Sequence, residues 1–323
     1  LSEERYRVYS RYLQHKFGGK VYKLPVNLPG TCPNRDGTSG TGGCIFCDEQ
    51  GAGFECLPDS LTVQEQLAAN REYFRRRYKA QKFIVYFQAF TNTYLPFDRF
   101  REYIRAAAGG GDTVGIAIST RPDCVSDRYL DFLAVTAREH QLDINIELGL
   151  QTVNYHTLLQ VNRGHTLAEF IDAVLRIKRY GLSTCVHLIL NLPGDGMKDV
   201  IENAKILSAL QVEYVKLHSL YVVKDTVLGE MYRRGGFVII PLEEYVERAV
   251  TFLEYLHPDV VVQRLAGRGP YGKVLFANWG VSWWQVKQRI EARLAALDTC
   301  QGRRCDYLNG KALRKRFHED TVC

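Results

Sequence analysis

The chain has 323 residues, with Lys+Arg 42 against Asp+Glu 36, a formal net charge of +6, 46% apolar and 24% charged residues. That is the balance of an ordinary folded chain, long enough to bury a sizeable core without disulfides. No stretch approaches the roughly 18 uninterrupted apolar residues of a membrane span, and the opening LSEERYRVYSRY lacks an apolar leader, so the sequence predicts a cytoplasmic protein with no membrane association.

In chain order, a basic segment over 1–19 precedes a first strand over 21–27. A helix is expected over 62–80, a strand over 83–88, a helix over 98–108 and a strand over 114–119. A helix over 127–140 with Asp127 as its cap, a strand over 144–148, and a helix over 167–180 between Thr166 and Gly181 follow. Strands over 183–190 and 214–220 alternate with helices over 199–210 and 243–256, and 260–265 reads as a further strand. Most strand runs are continuous Val- and Ile-rich stretches, as parallel strands buried on both faces require. The alternation predicts an α/β fold, an incomplete (β/α)6 TIM-like barrel over 20–265 with a C-terminal extension over 266–323. Its ligand site belongs at the carboxyl ends of the strands.

Nine cysteines, an odd number in a chain without an export leader, favour metal or redox chemistry over a disulfide framework. The segment after the first strand, GTCPNRDGTSGTGGCIFCDEQGAG, carries Cys32, Cys44 and Cys47 in a C-x11-C-x2-C spacing. Three thiolates on one Gly-rich loop can converge on an iron–sulfur cluster and leave one iron of a four-iron cluster open. Two alternatives stand beside this: Cys56 as a fourth ligand, and a structural Cys3His zinc site, for which the nearest downstream histidine is His140. Cys124 and Cys185 read as small buried hydrophobes, and Cys300, Cys305 and Cys323 make a poor ligand set for a second cluster.

The cysteine segment, with YFQAFTNT (86–93), GIAISTRPDC (115–124), ELGLQTV (147–153), NRGH (162–165), LNLPG (190–194) and VKLH (215–218), resembles the radical S-adenosylmethionine enzymes over roughly residues 12–290. Within them it is similar to the YtqA/YhcC (MnmL-type) family, itself similar to the radical domain of Elp3. The resemblance implies a [4Fe–4S] cluster on Cys32, Cys44 and Cys47, S-adenosyl-L-methionine on the open iron, and an external one-electron donor such as flavodoxin or ferredoxin. Gln88 stands where the superfamily commonly places a Gly-Gly-Glu motif for the cofactor ammonium, a departure that leaves backbone carbonyls and the Gln88 amide for that contact. Ser119 and Arg121 are expected at the ribose or carboxylate, and Glu147 and Gln151 at the ribose hydroxyls. Arg163 is expected to clamp the carboxylate, and Leu192 to wall the adenine. As plain packing, Glu147 would instead pair with Arg163, and His187 and His218 would be satisfied core groups. Lys216 and His218 are substrate-side candidates.

The substrate is expected from charge and resemblance together. Basic residues interleaved with aromatics cluster over 70–82, including Arg75, Arg76 and Arg77, over 302–317, and in the first segment. This mixture suits phosphate contact plus base stacking on RNA, though charge runs are also ordinary solvated helix faces. MnmL-type enzymes are implied to modify tRNA, converting the carboxymethylaminomethyl side chain of wobble (2-thio)uridine to aminomethyl through a 5′-deoxyadenosyl radical. A radical enzyme acting on a small metabolite or peptide is the second reading. A non-catalytic iron–sulfur RNA-binding protein is the third, and it would not cleave S-adenosylmethionine.

Overall fold

The computed structural model describes residues 4–49, 51 and 53–317; Cys323 lies outside them. The first helix, α1 (Tyr9–Phe17), precedes β1 (Val21–Val26), α2 (Val63–Tyr78), β2 (Lys82–Phe87), α3 (Phe97–Ala108) and β3 (Thr113–Thr120). Then come α4 (Asp127–His140), β4 (Asp143–Gln151), α5 (Tyr155–Gln160), α6 (Leu167–Arg179), β5 (Ser183–Ile189), α7 (Met197–Ala209) and β6 (Tyr214–His218). The chain continues through β7 (Val222–Val223), α8 (Val227–Arg233), α9 (Leu242–Tyr255), β8 (Val261–Arg264), β9 (Val274–Phe276), α10 (Trp283–Ala296) and α11 (Lys311–Phe317).

Seven parallel strands make one curled sheet in the order β1-β2-β3-β4-β5-β6-β8. The half-barrel expected from the alternation is present, and the 260–265 run joins it as the seventh strand. Period-two alternation gives each strand two jobs. Val85, Phe87, Ile116, Ile118, Ile146, Leu148, Val186, Leu188, Val215 and Leu217 share one core with helix residues such as Phe100, Leu133, Phe170, Val174 and Phe252. The intervening residues turn to the concave face, and these carry the polar groups.

The helix boundaries follow local chemistry. Thr166 and Glu169 form a capping box at α6, and Gly181 sits just past its end at φ +69°. Asp127 is the first residue of α4 rather than its cap, which Ser126 occupies in extended backbone. The first segment is not merely basic: Tyr9, Tyr12, Leu13 and Phe17 make one apolar face. Leu13 packs among Ile84, Tyr86 and Ala117 inside the sheet, and Tyr9 and Tyr12 meet Tyr214 edge-on with centroids 5.6 and 5.8 Å away. Val8 pairs with Val262, so α1 plugs the amino-terminal end of the barrel beside its open edge. The extension after 266 pairs β9 with β7 and packs α10 outside, on α9. Trp279 packs on Tyr245 and donates to the Ile240 carbonyl at 2.7 Å.

Candidate active site

A cavity opens at the carboxyl ends of the strands, walled on one side by the cysteine loop and floored by the concave face of the sheet. The loop is shaped by backbone turns: Arg35 N–H donates to the Cys32 carbonyl at 2.8 Å and Cys47 N–H to the Cys44 carbonyl at 2.9 Å. Gly42 and Gly43 follow each other at φ +75° and +76°, a left-handed pair that suits glycine. The segment after α5 clamps this loop. Asn162 Nδ2 donates to the carbonyls of Gly43 (2.7 Å) and Thr41 (3.2 Å), and Asn34 Nδ2 donates to the Asn162 carbonyl at 2.6 Å. Gly164 is required at the crossing, because at φ +72° a Cβ would lie 2.5 Å from Asn34 Oδ1.

Two guanidinium groups face the sulfurs. Arg163 Nη1 lies 3.4 Å from Cys44 Sγ while its Nε and Nη2 hold the Gly149 carbonyl at 3.1 and 2.5 Å. Arg121 Nη1 is 4.0 Å from Cys32 Sγ and 2.8 Å from the Arg163 carbonyl, and Asp123 holds its other edge at 2.9 and 2.7 Å. Burial, and next the neighbouring Cys44, push the Cys47 thiol up to about 12. The buried Asn34 Oδ1 has no hydrogen-bond partner.

These observations suit an iron–sulfur cluster. The donors are soft thiols facing one cavity, with cations set against the charge that thiolates would carry. Among the described residues only Glu147, Cys185 and His187 bring metal-type donor atoms within 4.8 Å of one another, so the three loop cysteines do not form a compact single-ion site. His140 ends α4, at the opposite end of the sheet, and among the described residues no histidine completes a compact donor group with the three cysteines, which argues against the Cys3His zinc alternative. Cys56 is not on the cavity wall, whereas Cys32, Cys44 and Cys47 are.

The floor is a polar layer drawn from most strands. Glu147 (β4), with its side chain fully buried, pairs with Lys23 (β1) and, at 3.2 Å, with Lys216 (β6). His187 (β5) meets Glu147 Oε2 through Nε2 at 2.7 Å. Lys216 Nζ donates to the Tyr86 hydroxyl at 3.0 Å, which lies 3.0 Å from Ser119 Oγ. Arg264 (β8) donates through Nη2 to His218 Nδ1 at 2.8 Å, and Lys23 crosses the open edge to Gln263 Oε1 at 2.9 Å. Burial alone would raise the Glu147 carboxyl, but Lys216 and Lys23 hold it well below the usual carboxylate range. Burial, and next Lys216, push His187 down to about 4; burial and next Arg264 push His218 well down. Burial also lowers Lys216 to about 8, against the pull of Glu147.

Cys32, Cys44, Cys47, Gln88, Ser119, Arg121, Glu147, Gln151, Arg163, Lys216 and His218 all line this one cavity. Leu192 does not: it is buried in a separate apolar cluster with Val161, Leu220 and Leu228. Glu147 pairs with neither Arg163 nor a surface group, but with the floor cations. Arg75, Arg76 and Arg77 are turned away altogether. They close α2 immediately before β2 begins, at the amino-terminal end of the sheet, and Arg75 pairs there with Asp112. Sequence reasoning missed Lys23, Tyr86 and Arg264. The available signal was a charged or hydroxyl residue at an inward position of an otherwise apolar strand.

The sequence profile described as the Radical SAM superfamily matches residues 30–207, and that of the Radical_SAM C-terminal domain matches residues 212–296. Protein YtqA of Bacillus subtilis is 35% identical over 304 residues, covering 94% of this chain and 93% of that protein. The tRNA uridine(34) acetyltransferase of Methanocaldococcus jannaschii is 29% identical over 141 residues, 42% of this chain and 24% of that protein. The solved structure of the archaeal Elp3 of Methanocaldococcus infernus superposes with a TM-score of 0.67 at 17% identity, covering 87% of this chain and 64% of that one. This last likeness concerns the fold.

Proposed function

The chain belongs to the radical SAM superfamily, whose members use a [4Fe–4S] cluster and S-adenosylmethionine, and from that premise we propose that it modifies tRNA, converting the carboxymethylaminomethyl side chain of wobble (2-thio)uridine to aminomethyl. The observation that carries the reading is one cavity uniting the three loop thiols with a cation-rich floor, in a chain related over part of its length to a uridine(34) enzyme. Cys32, Cys44 and Cys47 would hold the cluster; Gln88, Ser119, Arg121, Gln151 and Arg163 share their cavity and would meet the cofactor. Bound there, with an electron from an external donor, the two groups supply a carbon-centred radical able to abstract hydrogen. The chain's own work is positional. Arg163 and Arg121 balance thiolate charge, and Asn34 and Asn162 hold the loop against the barrel. The layer of Tyr86, Glu147 and Lys216 gives the floor fixed dipoles in place of mobile water.

The test is anaerobic incubation of cluster-loaded protein with tRNA carrying the carboxymethylaminomethyl group, followed by nucleoside mass spectrometry. The expected product is the aminomethyl nucleoside, with deuterium placed at the methylene next to the side-chain nitrogen recovered in 5′-deoxyadenosine. An unchanged nucleoside alongside turnover of S-adenosylmethionine would overturn the reading. A second reading, a small metabolite or peptide substrate, is favoured by the position of Arg75, Arg76 and Arg77 at the end of the barrel opposite the cavity. It predicts tRNA binding no stronger than that of any polyanion. Specific binding that weakens steeply with salt separates the two.

A further inference from the structure

The floor carries more positive than negative charge. Lys23, Lys216 and Arg264 face it, and among the described residues Glu147 is the one carboxylate of the layer. Both oxygens of Glu147 are already spent, Oε1 on Lys23 and Oε2 on Lys216 and His187. Among the described residues Arg264 is ion-paired to no carboxylate. Its Nη2 rests on His218, a ring acting there as a hydrogen-bond acceptor, and its buried Nε has no hydrogen-bond partner. A guanidinium and an ammonium on neighbouring strands, with donor capacity left over in a partly enclosed cavity, are costly to keep unless an anion completes them. The acids elsewhere on the cavity wall, Asp48 and Glu55, belong to the cysteine-loop side.

We propose that Lys216 and Arg264 form a receptor for a carboxylate at the cavity floor, and that this carboxylate is the terminal group of the substrate side chain. The second half rests on the tRNA reading above. A fork-shaped guanidinium and a point-charge ammonium on residues that are direct cross-strand partners can share one carboxylate. Lys216 and Arg264 are then specificity-determining residues: they hold the acid end while the adjoining carbon and nitrogen extend toward the thiol side of the same cavity. The cofactor also bears a carboxylate, and Arg163 at Cys44 is the group stationed near the cluster loop. The floor pair lies on the neighbouring strands β6 and β8.

The experiment uses anaerobically reconstituted holoenzyme and a synthetic anticodon stem-loop carrying either the carboxymethylaminomethyl uridine or its methyl ester. The native protein is expected to prefer the free acid by at least about tenfold, the scale of one charge-assisted hydrogen bond. Lys216→Met and Arg264→Gln should each collapse that ratio toward one while S-adenosylmethionine binding, measured by equilibrium dialysis, stays within about twofold. Arg264→Gln keeps the test alive if the more buried Lys216→Met fails to fold. Retention of the ratio in both variants overturns the receptor, as does a loss of S-adenosylmethionine affinity that parallels the loss of RNA discrimination. If the native protein binds neither stem-loop, the tRNA reading fails separately. The receptor is then judged by thermal stabilisation with N-methylglycine against its methyl ester: a shift in the native protein that Lys216→Met abolishes supports it, and no shift overturns it.

Discussion

Glu147→Gln is the sharpest test of how the floor is built. The carboxylate is fully buried and faces two ammonium groups whose side chains keep 18% and 9% of their exposure, Lys23 and Lys216. Removing one member of a buried ion pair typically costs about 3–5 kcal/mol, because the partner charge stays behind in a low dielectric. Lys216 offers an escape, since burial has already lowered it from 10.5 to about 8. Releasing its proton at pH 7 costs about 1.4 kcal/mol at that value, so the lower end of the range is expected. A lysine depressed in the folded state makes the unfolded chain the better proton binder, and stability rises with pH between the folded and unfolded values. In the native protein that window opens near 8; in the variant, without its counter-ion, it opens lower. The gap between the two proteins should therefore narrow by about 1.4 kcal/mol between pH 7 and pH 9. Urea unfolding followed by circular dichroism at both pH values reads this directly. A deficit below about 1 kcal/mol at pH 7, or one that does not change with pH, would show that Glu147 is not the counter-ion of the floor.

Alanine at Cys32, Cys44 or Cys47 should reduce iron after anaerobic reconstitution to background, whereas Cys300→Ala/Cys305→Ala should retain the full Mössbauer signal. Gly164→Ala forces a side chain at φ +72° into Asn34 Oδ1; a loss of about 1–3 kcal/mol and faster iron release are expected, and a variant of native stability would contradict the clamp. Burial first, and nearby cations next, hold His165 at about 3 and His187 at about 4. The unfolded chain takes up protons that these rings refuse, so stability should fall as pH drops from the ordinary histidine value of 6.5 toward 4. His165→Gln should flatten the slope of the urea midpoint across that window, and an unchanged slope would mean the ring is charged in the fold. If RNA enters by the cavity mouth, Arg268, which lines the cavity, contacts phosphate while Arg75, Arg76 and Arg77 do not. Arg268→Ala should lower the salt slope of binding by about 0.7, and an equal or larger effect from the triple Arg75→Ala, Arg76→Ala, Arg77→Ala variant would invert the assignment.

The barrel was legible because each strand announces itself twice, by a Val- and Ile-rich run and by the helix that follows. Even Val261–Arg264, the weakest run, took its place beside β6. The cysteine loop was legible because its spacing and glycines are local. The floor was legible only in part, since Glu147, Lys216 and His218 stand out in the sequence whereas Lys23, Tyr86 and Arg264 do not, and for a definite reason. Its members are single residues from strands far apart in the chain, and each looks alone like an anomaly in an apolar run: Lys23 in VYKLPV, Glu147 in INIELGL, Lys216 in YVKLH, Arg264 in VVQR. Parity supplies the missing link. In a parallel sheet wound into a half-barrel, alternate positions of every strand converge on one interior, so charges at inward positions become neighbours whatever their separation in sequence. Lys23 and Glu147 are 124 residues apart and in direct contact. The same rule explains why Arg75, Arg76 and Arg77 stand apart from the cavity: a run of arginines at the end of a helix is placed by the helix, and α2 descends from the cysteine loop to the start of β2. Chemistry carried by a run of residues goes to whichever end its element reaches, whereas chemistry carried by isolated inward residues goes to the barrel's axis, where a substrate has to be held.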